Sequence, residues 1–208
     1  MQGQLDSYWA KIGKTWATDN VVKEKKGGRS IRRLQVAKFM ANTVAHIDKP
    51  RILEVGCNYG ENLANIKNCL PEANLFGVDI SKDAIDLAKE RNPGPQYNNA
   101  SVYDLPYEPL SFDLVFTMGV MIHLHPSEIK HAVGSIAKLS VLNIVHTEVA
   151  TKEYYAKCSK FSSKNKAFGP RRPYLFLHDY KRLYERTHFT FVEQVPTING
   201  LITLHFKK

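Results

Sequence analysis

PRILEVGCNYG, residues 50–60, is the stretch from which the rest of the chain is read. A mostly apolar run, Ile52-Leu53-Glu54-Val55, enters a turn punctuated by Gly56 and Gly60, and a helical pattern opens at Asn62-Leu63-Ala64. Strand, tight turn and helix start together make a cradle for a nucleotide-like ligand. The glycines let backbone approach the ligand, and the unpaired N–H groups of the helix start face it. The turn is longer than a GxGxxG dinucleotide loop and lacks the lysine of a phosphate loop. A ligand carrying a charged amino acid and a ribose fits it better than a pyrophosphate.

Upstream, residues 5–18 are predicted helical, with Leu5, Tyr8, Trp9, Ile12 and Trp16 three or four apart. That aromatic stripe serves either packing or a lid. A basic, glycine-containing break over 23–30 precedes a second helix over 31–47, and Pro50 separates it from the first strand. Downstream, strands are expected at 75–80, 97–102, 112–118 and 141–149. The helices between them include 82–91, capped by Ser81, and one whose first turn holds Pro126. Residues 151–178 are long, polar, basic and without firm periodicity, the signature of a functional loop. A helix over 179–188 and two strands, 189–195 and 200–206, close the chain as a hairpin. The alternation implies an α/β fold: a mostly parallel seven-stranded sheet covered on both faces, with an antiparallel strand at its end.

The totals agree with one domain of 208 residues and 23.7 kDa, 43% hydrophobic. Its expected parts are an N-terminal cap over 1–49, a ligand-binding core over 50–150, a substrate loop or lid over 151–177, and a last helix and strand pair over 178–208. No apolar run is long enough for a membrane span, and MQGQLDSYW lacks a secretory pattern, so a cytoplasmic location is expected. Cys57, Cys69 and Cys158 form neither a paired disulfide set nor a close metal-ligand cluster. The net charge of +9 suggests an anionic partner without choosing among nucleic acid, a membrane surface and a phosphorylated small molecule.

Ligands of such sheets bind beyond the carboxyl ends of the strands. Glu54, Asp79, Asp104, His123 and Glu148 fall at those ends. Asp79 lies at the spacing of an acid that accepts ribose hydroxyls, although it can equally cap the following helix, and Glu54 can be a structural carboxylate. The set LEVGCNYG, LFGVDIS, ASVYDLPY and SFDLVFTMGVMIHLHP resembles the class I S-adenosylmethionine-dependent methyltransferases over residues 50 to about 150. The resemblance implies a Rossmann-like fold, an enzyme, and S-adenosyl-L-methionine as cofactor. It also implies that Gly56, Cys57 and Gly60 border the methionine part, with Glu54 supporting the turn and the amino group. Asp79 would hold the ribose, Ile80 would line the adenine, and Asp104 with the backbone of Leu105 would meet its amino edge. Met118 and Gly119 would flank the sulfonium. A narrower resemblance, carried by SYWAKIGKTWATDN, GVMIHLHP and VHTEVATKEYY, is to methylases associated with pseudaminic acid biosynthesis. Asp19 departs from the arginine usual there. This resemblance implies a sugar, nucleotide-sugar or glycan hydroxyl as acceptor.

Methylating a hydroxyl requires alignment and removal of a proton. His123 is the first candidate base, His178 its main rival and His125 a third, each with a packing or capping role as the plainer alternative. Glu148 can orient a histidine, bind a sugar hydroxyl or serve as a cap. Trp9, Trp16, Tyr154, Tyr155 and Tyr174 can stack on an acceptor, Arg171 and Arg172 can clamp an anion, and Asp179 can close over it. A divalent metal is possible but not favoured, since no compact ligand cluster is seen. RNA or another nucleic acid remains an alternative acceptor, and a non-catalytic cofactor-binding subunit an alternative role.

Overall fold

The computed structural model describes residues 7–12, 15, 28–148, 176–197 and 201–208. Residues 7–12 are helical. The order that follows is α1 (Gly28–Val44), β1 (Arg51–Val55), α2 (Glu61–Cys69), β2 (Asn74–Asp79), α3 (Lys82–Arg91), β3 (Gln96–Asn99) and β4 (Phe112–Met118). A 3-10 turn (Met121–His123), α4 (Ile129–Leu139), β5 (Ser140–Glu148), α5 (Tyr180–Tyr184), β6 (Thr190–Pro196) and β7 (Ile202–Lys207) complete it. The seven strands form one sheet in the order β3-β2-β1-β4-β5-β7-β6. The first five are parallel, and β7 runs antiparallel to both β5 and β6. The mostly parallel seven-stranded sheet expected from the alternation, with its terminal hairpin, is therefore present, but the antiparallel strand is not at the edge: β7 pairs with β5 and leaves β6 outermost.

Period-two alternation divides the core. Leu53, Val55, Val115 and Ile144 face α4 and α5, while Ile52, Leu114, Phe116 and Val145 face α1, α2 and α3. Glu54 lies on the second face and Glu148 on the first, so two buried carboxylates stand at carboxyl ends of strands on opposite sides of one sheet. Strand order reverses between β1 and β4, and ligand sites of open α/β sheets form at that reversal.

Several boundaries move for local reasons. Ser81 caps α3 as expected, its hydroxyl accepting the Ala84 N–H at 3.3 Å. The helix after Pro126 becomes regular only at Ile129, because the carbonyl of His125 already takes the N–H groups of Glu128 and Ile129. The third strand stops at Asn99, where the chain turns into an isolated bridge between Ser101 and Asp104. The last helix spans only Tyr180–Tyr184, ending where Thr187 N–H returns to the Tyr184 carbonyl.

Candidate active site

The glycine turn is fastened to β2. Gly56 and Cys57 N–H both donate to the Val78 carbonyl, at 2.7 and 2.9 Å. Gly56 and Gly60 adopt φ of 78° and 79°, and Asn58 one of 50°. A side chain at either glycine would be strained by backbone conformation alone. Space is lacking as well: a Cβ built on Gly56 would lie 2.2 Å from Val120 Cγ2, and one on Gly60 2.3 Å from the Tyr97 hydroxyl. Cys57 is buried with its sulfur against Gly77, so only its backbone borders the turn.

Asp79 organises the same turn from β2. Its Oδ2 accepts the Asn58 N–H and its Oδ1 the Ser81 N–H, both at 2.9 Å. Burial raises its pKa, and the N–H groups of Ser81, Asn58 and Ile80 oppose the rise. Its carboxylate thus stands half-buried and fixed, with lone pairs left for ligand hydroxyls. Glu54 is fully buried, and its Oε1 accepts the Asn62 side-chain N–H at 2.5 Å. Glu54 Oε2 and Asn62 Oδ1 are buried with no hydrogen-bond partner. Burial pushes the Glu54 pKa up to about 8; Asn62 and the charge of Arg33 oppose this, and Asp79 adds to it. Two undonated acceptors beside a glycine turn suit a cationic donor such as an ammonium group, because unsatisfied buried acceptors are costly. Arg33 closes this side, donating to the Tyr59 hydroxyl at 2.8 Å.

Past the end of β2 and in the loop after β3, Ile80 is half-buried and Asp104 exposed, its N–H bonded to the Ser101 carbonyl at 3.1 Å. Leu105 is half-buried and accepts the Tyr107 N–H. Asn99 donates to the carbonyls of Asp79 and Ile80, which steadies the turn after β2. Met118 and Gly119 are half-buried at the end of β4, and the Gly119 N–H is held by the Thr147 carbonyl at 3.0 Å.

Beyond β4 runs a strap over residues 119–125. Glu148 is buried beneath it: Oε1 accepts the N–H groups of Val120 at 3.0 Å and Met121 at 3.2 Å, and Oε2 that of Ile122 at 3.4 Å. Its carboxylate is occupied by backbone, and burial still pushes its pKa up to about 7. His123 is half-buried at the end of the 3-10 turn with its ring 4.5 Å from that of Trp9. His125 pairs with the Ser127 hydroxyl at 2.8 Å and stands edge-on to Phe176. His178 is buried; its Nε2 bonds the Leu124 carbonyl at 3.0 Å, and burial lowers its pKa. Asp179 is exposed and caps α5 through the Arg182 N–H.

The structure thus gathers Glu54, Gly56, Cys57, Gly60 and Asp79 into one turn, and sets Trp9 beside His123. Trp16, Tyr154, Tyr155, Arg171, Arg172 and Tyr174 lie outside the described residues. Asn62, Arg33 and Asn99 join the site without having been singled out from sequence. Among the described residues, no group of three or more His, Cys, Asp or Glu side chains could hold a metal ion, and no helix is long and apolar enough to cross a membrane.

Residues 52–141 match a family model described as a methyltransferase domain. An uncharacterized methyltransferase of Schizosaccharomyces pombe is 32% identical over 85 residues, covering 36% of this chain and 31% of that protein. The fatty-acid O-methyltransferase of Mycolicibacterium smegmatis is 29% identical over 84 residues, 39% of this chain and 30% of that one. The chain therefore spans less than a third of the length of these relatives. Among solved structures, magnesium protoporphyrin IX methyltransferase from Synechocystis with bound S-adenosylhomocysteine superposes with a TM-score of 0.75 at 15% identity, covering 100% of both chains. The plantazolicin methyltransferase BpumL in complex with a pentazolic desmethylPZN analog and S-adenosylhomocysteine gives 0.67 at 16% identity, over 99% of this chain and 97% of that one. The chain has the class I S-adenosylmethionine-dependent methyltransferase fold.

Proposed function

We propose that the protein binds S-adenosylmethionine and transfers its methyl group to a hydroxyl of a small polar molecule. The observation that carries this reading is the pairing of Asp79, fixed by two backbone N–H groups, with the undonated oxygens of Glu54 and Asn62 across one glycine turn. The first suits a ribose diol and the second an ammonium group, and the cofactor has both. When bound, S-adenosylmethionine supplies a methyl carbon made electrophilic by its sulfonium. The chain's own part is to fix the turn through Gly56, Gly60 and Asp79, and to present His123 beside the carboxyl end of β4. His123 would take the acceptor's hydroxyl proton on a ring nitrogen, leaving the oxygen free to receive the methyl group that the cofactor would supply.

A sugar, nucleotide-sugar or glycan is the acceptor class we carry forward. The resemblance of the aromatic N-terminal segment to sugar-pathway methylases supports it, as does the placement of Trp9 at His123, since an aromatic face suits a sugar ring. In this reading residues 1–49 are a lid and 151–177 the acceptor loop of one domain.

Calorimetry with S-adenosylhomocysteine should show binding that Asp79→Ala abolishes; an intact protein that does not bind would remove the enzymatic reading. Labelled cofactor offered with nucleotide sugars, oligosaccharides and short RNAs then tests the acceptor. Transfer only to RNA would replace the sugar reading, and binding without transfer to any class would favour a non-catalytic subunit.

A further inference from the structure

Four polar side chains with no direct place in the proposed chemistry form a continuous path through the core. The Tyr184 hydroxyl lies 2.8 Å from His146 Nε2, and His146 Nδ1 lies 2.8 Å from Thr117 Oγ1. Thr117 Oγ1 in turn donates to Glu148 Oε1 at 2.8 Å. Thr117, His146 and Glu148 are each 0% exposed, Tyr184 is 1% exposed, and rings of Tyr180 and Phe206 flank His146. Hydrogen bonds in such a dry setting are strong, and breaking one leaves a costly orphan.

Counting protons gives the path a direction. Glu148 Oε1 already receives the N–H groups of Val120 and Met121, so it accepts from Thr117. The threonine hydroxyl has one proton, spent on Glu148, and its oxygen must accept from His146 Nδ1–H. Burial keeps His146 neutral, leaving Nε2 bare to accept from the Tyr184 phenol. Each donor therefore points toward Glu148, and Glu148 points at the strap. The strap ends the path at the cofactor turn, because Val120, whose N–H Glu148 holds, packs directly over Gly56.

We propose that Tyr184, His146, Thr117 and Glu148 are positioning residues, a one-way hydrogen-bond relay that seats Val120 on Gly56 and thereby shapes the cofactor turn from α5. The role assigned to the turn rests on the methyltransferase reading; the relay itself does not.

The test uses the full chain and the variants Tyr184→Phe, Thr117→Val and Thr117→Ser. Nitrogen-15 NMR of the wild-type imidazole should show His146 neutral with its proton on Nδ1; a proton on Nε2 would overturn the direction of the relay. Tyr184→Phe touches no atom of the strap, yet it should speed amide exchange at Val120 and Met121 and weaken S-adenosylhomocysteine about 3- to 10-fold, the effect of one lost hydrogen bond. Thr117→Val should do the same, Thr117→Ser should restore wild-type behaviour, and the Tyr184→Phe, Thr117→Val double variant should lose less than the product of the two single effects. Unchanged exchange in Tyr184→Phe, or effects that simply multiply, would overturn the proposal. Should Thr117→Val not fold, Tyr184→Phe and the tautomer still decide the matter. If wild-type protein binds no S-adenosylhomocysteine, the functional reading falls alone, since tautomer and amide exchange test the relay without any ligand.

Discussion

Trp9, on the helical segment over 7–12, places its ring 4.5 Å from the His123 ring at a tilt of 54°. The two rings meet across 114 positions of sequence (123 − 9), because β4, in the middle of the sheet, delivers His123 beyond its own carboxyl end. An aromatic face there can pack on an acceptor while holding the imidazole. Trp9→Ala should raise the acceptor KM about 10-fold, the loss of one aromatic contact, and leave S-adenosylhomocysteine affinity within about twofold. Steady-state kinetics on the acceptor found by screening, with calorimetry beside it, would check both numbers.

The histidines should separate by what fails first. If His123 is the base, as proposed, His123→Ala should abolish turnover while cofactor affinity and stability stay near wild type. His178 holds the Leu124 carbonyl from a buried site, and burial lowers its pKa. His178→Ala should therefore cost about 1–3 kcal/mol in urea unfolding before any catalytic effect is read. Turnover that survives in His123→Ala would move the base to His178.

Gly56→Ala is the most direct probe of the turn. The substitution forces a Cβ onto a φ of 78° and to 2.2 Å from Val120 Cγ2. Val120 has little room to retreat, since Glu148 holds its N–H from below. Strain and overpacking each cost about 1–3 kcal/mol, so the melting temperature should drop by several degrees and S-adenosylhomocysteine binding should fall at least 10-fold. Wild-type binding in Gly56→Ala would contradict the assignment of this turn to the cofactor.

How much of this was legible beforehand follows from the range over which each interaction acts. The parallel sheet, the Ser81 cap and the glycine turn are local patterns, and sequence spacing carries them. Partners brought together by strand pairing are another matter. Glu148 looks available at the end of β5, but parallel pairing of Thr117 with His146 and Met118 with Thr147 brings the strap over it, and three backbone N–H groups occupy its oxygens. Arg33 meets Tyr59 across 26 residues, and Asn62 reaches back to Glu54 from the start of α2. No spacing rule marks those residues, because one contact joins α1 to the glycine turn and the other joins α2 to β1. Cys57 shows the converse: its position in the turn is readable, whereas the inward direction of its sulfur depends on the gap at Gly77.

Stability and ligand affinity should both depend on pH through Glu54. Burial raises the Glu54 pKa from 4.5 to about 8, so between those values the native state holds a proton that the unfolded chain releases. That contribution to stability is full at acid pH and is lost as pH rises through 8. Glu148 acts with the same sign up to about 7. His146, His178 and His205 act oppositely: their pKa values are lowered from 6.5, so their contribution is complete above 6.5 and fades below it. The window from pH 6.5 to 8 therefore isolates the carboxylates. Urea unfolding should show stability falling there by up to about 1.4 kcal/mol per pH unit for each proton involved, and Glu54→Gln should flatten the slope. An ammonium group placed at Glu54 Oε2 favours the ionised carboxylate, so ligand binding should release the proton and tighten with rising pH. S-adenosylhomocysteine affinity should increase across the window in wild type and not in Glu54→Gln. An affinity that is flat or falls in wild type would place the ligand's amino group away from Glu54.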